Sequence, residues 1–313
     1  MLALLFPGQG SQHVGMGKDV FESSKAARDV YIAADEALGF EVSRYCFEGP
    51  EEELRRTEIQ QPALLTTSIA LLEAFRQDGP VEPSFVAGHS LGEYSALVAS
   101  GAMAFEDAVR TVNARGRYMQ ESVPEGSGAM AAILGCTASE VQAICAEVEA
   151  ESGEVVSPAN YNSPQQTVIA GESAAVAAAC VRASAQGAKK VIELAVSAPF
   201  HCALMAPAAE KLARDIEGIA FRDPSPPVVT NVDAAANSAA ERIPGLLLSQ
   251  VTAPVRFTEM IECLKAKGVT HFLEIGAGRV LSGLLARIER RSRRENLSTV
   301  DGFESARKFV SEA

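Results

Sequence analysis

The 313-residue chain contains no apolar stretch approaching a membrane-spanning helix, which takes roughly 20 residues. No membrane partner is therefore expected. Met1–Phe6 lacks the length and basic leader of a secretory signal and runs straight into a glycine turn, so it reads as a first strand. Six cysteines (46, 136, 145, 180, 202 and 263) are present without any C-x-x-C spacing. That pattern excludes a disulfide framework and a zinc site and fits a reducing compartment. The 4 histidines are equally scattered, so no metal-ligand cluster is visible and no cofactor is expected. Positive charge is also short: 28 Lys and Arg against 40 Asp and Glu leave a net charge of −12. A nucleic-acid binder needs the opposite balance. There is no internal repeat and no low-complexity stretch. These absences point to a cytoplasmic location, and a monomer is expected.

What remains is ordinary globular composition, 47% hydrophobic and 22% charged. A chain of this length can bury roughly three quarters of its surface in one large domain or two.

The most informative stretch is Ala87-Gly88-His89-Ser90-Leu91-Gly92-Glu93-Tyr94. It follows the apolar run Ser84–Ala87 and leads into a helical segment, Ser95–Ala99. A serine in G-x-S-x-G between strand and helix is the nucleophile-elbow pattern. The turn needs small residues on both sides, and it holds the hydroxyl at the positive end of a helix, where oxyanion charge is favoured.

Around it, Leu2–Phe6 reads as a buried strand ending in Pro7-Gly8-Gln9-Gly10-Ser11-Gln12. The two glycines let that backbone approach something closely. A helix is predicted over 22–38 with Gly39 as its stop, and Pro62 is expected to open another over 63–77. A further helix, 105–121, carries Arg110, Arg115 and Arg117. At residues 124–128 the composition changes. Strand 129–134, helix 138–151, strands 155–161 and 165–170, helix 173–186 and strand 189–196 then follow. This β-α-β-β-α-β order is that of the ferredoxin-like split motif, so residues 127–197 are expected to be a small inserted domain. Residues 1–126 and 198–313 form the large α/β domain, α/β-hydrolase-like, with a mainly parallel sheet of strands 2–6, 84–88, 228–231 and 271–275. Ligands in such sheets bind beyond the carboxyl ends of the strands. The last twenty residues, with the basic run Arg287–Arg294, read as a helix end and a loosely held tail.

A serine needs a base. His89 is expected to fix the turn, His13 to be a solvated loop residue, and His271 to sit at a strand end. His201, where the chain re-enters the large domain after Pro199, is the best-placed base. The acid that would orient it is not marked by any motif. Asp215, Asp223 and Asp233 are possible by position, and a carbonyl or an amide could serve instead.

Several blocks together resemble the malonyl-CoA:acyl carrier protein transacylase family, in its discrete fatty-acid-synthesis form. They are residues 6–12, Gln61-Pro62-Ala63-Leu64, residues 88–94, residues 115–120, Asn160-Tyr161-Asn162-Ser163-Pro164, Phe200-His201 and Gln250–Val255. The resemblance runs end to end and implies transfer of malonyl from malonyl-CoA to acyl carrier protein. It implies Ser90 as the acylated nucleophile and His201 as base, held by the backbone carbonyl of Gln250. The N–H groups of Gln9 and Leu91 would form the oxyanion hole. Arg115 would bind the malonyl carboxylate, and Asn160, Asn162 and Gln61 would form polar wall. An aromatic at Phe200 is implied to favour malonyl over branched units. Arg117, two positions on from Arg115, faces the other side of its helix. The arginines at 287, 290, 291, 293 and 294 are a candidate docking patch for an acidic carrier.

Overall fold

A computed structural model describes residues 1–124 and 126–313; Glu125, inside the linker read at 124–128, lies outside the described residues. Ten strands follow in chain order: β1 (Leu2–Phe6), β2 (Phe85–Gly88), β3 (Gly128–Leu134), β4 (Val156–Ser163), β5 (Gln166–Glu172), β6 (Lys190–Glu193), β7 (Val228–Val229), β8 (Ala236–Asn237), β9 (His271–Ile275) and β10 (Arg293–Leu297).

The first sheet has the order β10-β9-β1-β2-β7-β8, parallel except for the β7–β8 hairpin. β1 lies in its middle and is buried at every position, as a parallel strand covered on both faces must be. The register pairs Phe6 with Gly88, Ala87 with Val229 and Ile275 with Leu297. The loops after β1, β2, β7 and β9 therefore leave one edge of the sheet together. That edge is the position expected of a ligand site.

The second sheet has the order β4-β5-β3-β6, antiparallel throughout. Its two central strands, β5 and β3, are apolar on both faces. Ala131 and Ile133 of β3, with Ile169 of β5, pack under the helices Ala138–Ser152 and Ser173–Ala185. Their alternates Met130, Ala132, Val168 and Ala170 join the main core of the large sheet. Because side chains alternate across a strand, one short run of sequence serves two cores. β4 is also tied to the large unit directly: Val255 N–H donates to Ala159 O, and Tyr161 N–H donates to Val255 O, both at 2.9 Å.

Four expectations need correction. The helix read over 22–38 is two, Lys18–Ser23 and Lys25–Leu38, because Ser24 is extended and its hydroxyl caps the second. The helix expected to open at Pro62 begins at Thr57 and runs to Gln77, with Pro62 inside it. Proline there leaves the Glu58 carbonyl without its helical donor. Asn113 Nδ2 of the neighbouring helix, Phe105–Glu121, supplies one at 2.8 Å. The C-terminal segment is not a loose tail. β10 extends the large sheet, and the helix Phe303–Ser311 sets Phe303 edge-on to Phe75 and Phe309 edge-on to His271. Its charged residues concealed an edge strand whose last residue, Leu297, is buried. The strand expected at 228–231 is also shorter, Val228–Val229, since Thr230 opens the turn toward β8 and Asn231 turns away to serve the site described next.

Candidate active site

Ser90 sits between β2 and the helix Leu91–Ala99 with φ 52° and ψ −107°. That conformation is strained for a residue with a Cβ. The flanking glycines make the turn possible. A Cβ on Gly88 would overlap the Gly92 carbonyl, and one on Gly92 would overlap the Phe6 carbonyl. The elbow is thus pressed against the end of β1. The following loop is pressed against it in turn, since a Cβ on Gly8 would collide with the His89 carbonyl. Gln9, next in that loop, donates from Nε2 to Gln60 Oε1 at 2.6 Å.

His201 Nε2 lies 2.7 Å from Ser90 Oγ, and its Nδ1 lies 2.8 Å from the backbone oxygen of Gln250. A carbonyl can only accept, so Nδ1 carries the proton and Nε2 is free to accept from the serine hydroxyl. His201 is itself held at φ 62°. Burial, reinforced by the positive charge of Arg115, pushes its imidazole down to about 3. It is therefore neutral at physiological pH, the form a general base requires. None of the three aspartates orients it: Asp233 pairs with Arg242, Asp223 accepts from Ala240 N–H, and Asp215 is exposed.

Arg115 is completely buried. It donates to Gln61 Oε1 at 2.8 Å, to Gln250 Oε1 at 2.9 Å and to Ser90 Oγ at 3.2 Å. No carboxylate forms an ion pair with it among the described residues. Its Nε and the Nε2 of Gln61 are buried donors without acceptors. Such groups are rare in native interiors and call for a partner. Arg117 lies on the opposite face, exposed over the Tyr118 ring.

The other expected residues are placed less directly. Asn162 Oδ1 is 2.8 Å from His89 Nε2, so His89 ties the elbow to β4. Asn160 is buried where β4 bridges to Val255. Phe200 is buried in the main core beside His201 in sequence. The run at 287–294 spans three settings. Arg287 ends a helix and donates to Gln166, Arg290 and Arg291 occupy the turn, and Arg293 on β10 pairs with Glu312.

Two residues that sequence reasoning passed over complete the floor. Asn231, just past β7, accepts from Ser90 N–H at 2.6 Å and donates to Gly88 O at 2.7 Å. Glu93 is buried beneath the elbow and accepts from Gln250 Nε2 at 2.8 Å and Asn231 N–H at 3.0 Å. Glu93 lay within the elbow motif itself. Asn231 had no local signal at all.

No helix among the described residues is long and apolar enough to cross a membrane. No group of His, Cys, Asp and Glu among them could hold a metal ion.

The acyl transferase domain family matches residues 3–299. Malonyl CoA-acyl carrier protein transacylase of Bacillus subtilis is 49% identical over 305 residues, covering 97% of this chain and 96% of that protein. The solved transacylase of Coxiella burnetii superposes with a TM-score of 0.96 at 42% identity, covering 99% of this chain and 97% of that one. A malonyl-transacylase solved in complex with its type II PKS acyl-carrier protein gives a TM-score of 0.94 at 46% identity, over 97% and 98%. The chain belongs to the acyl transferase domain family and, within it, to the malonyl CoA-acyl carrier protein transacylases.

Proposed function

We propose that the protein transfers a malonyl group from malonyl-CoA to the phosphopantetheine thiol of an acyl carrier protein, through a malonyl-serine intermediate in a ping-pong sequence, and so supplies extender units for fatty-acid synthesis. The observation that carries this reading is Arg115, a fully buried guanidinium 3.2 Å from Ser90 Oγ with no carboxylate of its own.

In the first half-reaction Ser90 Oγ attacks the thioester carbon while its proton passes to His201 Nε2. The N–H groups of Gln9 and Leu91 take the charge of the oxyanion, the role in which such donors are worth most. The intermediate collapses by breaking the C–S bond, and His201 returns the proton to the CoA sulfur. The second half repeats these steps in reverse with the carrier thiol. No atom changes oxidation state and each bond broken is matched by one formed, so these steps call for no redox group. The malonyl carboxylate would lie on Arg115, supplying acceptors for its Nε and for Gln61 Nε2. An arginine fork suits a carboxylate in two charge-assisted bonds. Acetyl would leave that cation buried and unpaired, and sites built around a polar partner strongly reject analogues lacking it. Phe200 would fill the space a 2-methyl branch needs. Asn160 and Asn162, both on β4, would form part of the polar wall of the cleft.

Residues 127–197 are read as an inserted ferredoxin-like domain on an α/β-hydrolase-like body of residues 1–126 and 198–313. The enzyme is read as a cytoplasmic monomer with neither nucleic-acid nor membrane partner. The likeness to a transacylase bound to a PKS carrier favours a second possibility for the carrier alone, a polyketide rather than a fatty-acid one.

The test is to supply malonyl-CoA with and without phosphopantetheinylated carrier and to measure malonyl-carrier and free malonate together. Transfer should exceed malonate release many times over. Malonate release at the same rate with no carrier present would make the protein a thioesterase instead.

A further inference from the structure

Glu93 is the fourth residue of the elbow sequence counted from Ser90, in the first turn of the helix Leu91–Ala99. Helical side chains lean toward the helix N-terminus, so its carboxylate returns underneath the serine. There it is 1% exposed and meets two groups from distant parts of the chain, Gln250 Nε2 and Asn231 N–H.

These two partners hold every reacting group. Asn231 fixes the elbow at both ends, through Ser90 N–H and the Gly88 carbonyl. Gln250 does more. Its Nε2 also donates to Ser90 O at 3.1 Å, its Oε1 accepts from Arg115, and its backbone oxygen orients His201. The two ends of an amide are nearly the same shape, and only their neighbours decide which way it points. Gln250 lies between an arginine, which can only donate, and Glu93, which when ionised can only accept. The orientation is therefore set by a cationic donor on one side and, on the other, by two acceptors, the Ser90 carbonyl and the ionised Glu93. A neutral Glu93 would carry an O–H that competes as a donor, and a flipped amide would set NH2 against Arg115.

We propose that Glu93 is a positioning residue for acyl transfer: its ionised carboxylate, acting through the Gln250 amide and the Asn231 backbone, aligns Arg115, His201 and the elbow without touching the substrate. This rests on the transacylase reading above. Glu93 also gives the buried Arg115 a counter-charge one amide away, which explains how that cation is tolerated with no direct ion pair.

The proposal has a pH signature. Burial pushes the Glu93 carboxyl up to about 7, against the opposing effect of its bonds from Gln250 and Asn231 and of the charge on Arg115. The charged groups facing it are Arg115 on the helix Phe105–Glu121 and Asp233 after β7, with Tyr94 beside it on its own helix. His201 stays neutral down to about 3. Loading should therefore be full above pH 7 and decline as Glu93 takes up a proton below it, with His201 contributing nothing to that limb.

The experiment measures kcat/KM for loading by malonyl-N-acetylcysteamine between pH 5.5 and 8.5, since this thioester carries no phosphate that titrates there. The wild-type chain should show a single limb near pH 7. Glu93→Gln, folded as judged by circular dichroism, should lose about ten- to a hundredfold at pH 8, the effect of one charged hydrogen bond, and its limb should vanish. Glu93→Asp should restore part of the rate and keep a limb. A folded Glu93→Gln that retains the wild-type limb overturns the proposal, whatever its rate. If that variant does not fold, a wild-type profile flat through pH 7 overturns it and a limb there supports it. Failure of the wild type to load at any pH would instead contradict the transacylase reading.

Discussion

The floor of the site and the wall opposite it are built in different ways. On the floor, Ser90, His201, Arg115, Gln250, Asn231 and Glu93 come from five separate stretches, yet hydrogen bonds of 2.6 to 3.2 Å connect them all. The wall, β4 and the turns near it, meets the large unit through few bonds. Among the described residues these include Asn162 to His89, the backbone exchange with Val255, Thr258 Oγ1 to the Tyr161 carbonyl, and Arg287 to Gln166 just past the β4–β5 turn. The floor is organised before any substrate arrives, which is where preorganised donors are most effective. The wall offers polar groups and rim charge without a closed network. Choice of acyl group should therefore reside in the floor, and choice of carrier on the rim.

This division can be broken at either end. Arg115→Ala should have the larger effect. Loading by malonyl-CoA should fall about a thousandfold or more, because a site built to pair a polar group loses its partner. Discrimination against acetyl-CoA should fall with it, as seen by comparing kcat/KM for the two thioesters. Retained discrimination would mean that the wall, not the floor, reads the acyl group. A smaller effect is expected from reversing charge at Arg287 and Arg291 together. KM for the carrier should rise about threefold to tenfold at low salt, as for rim charges that steer association, while loading from malonyl-CoA stays unchanged. An equal change in both half-reactions would remove these arginines from carrier docking.

The floor was only partly legible in the sequence. The elbow could be read because its geometry demands small residues at fixed offsets, and Gly88 and Gly92 meet backbone where a Cβ would not fit. His201 could be ranked by its place in the chain. The link from its Nδ1 to a carbonyl could not, since every residue carries a carbonyl and none is marked as the acceptor. Gln250 and Arg115 came from resemblance, not from spacing. Asn231 was invisible because its function depends on where β7 ends in space. β3 and β5 were read correctly as strands, and their unbroken apolar runs are what burial on both faces requires, though nothing in them says what covers each face. Pro62 misled for a tertiary reason, since the Glu58 carbonyl that it leaves without a helical donor is satisfied by Asn113 from another helix.

The central claim is that Ser90 carries the acyl group between two thiols. It is tested most directly by incubating the intact chain with malonyl-CoA in the absence of carrier, quenching in acid, and mapping peptides by mass. The account predicts one malonyl group on the peptide containing Ser90, lost when phosphopantetheinylated carrier is added before the quench, and absent from Ser90→Ala. Malonyl found on another residue, or persisting in Ser90→Ala, would contradict it.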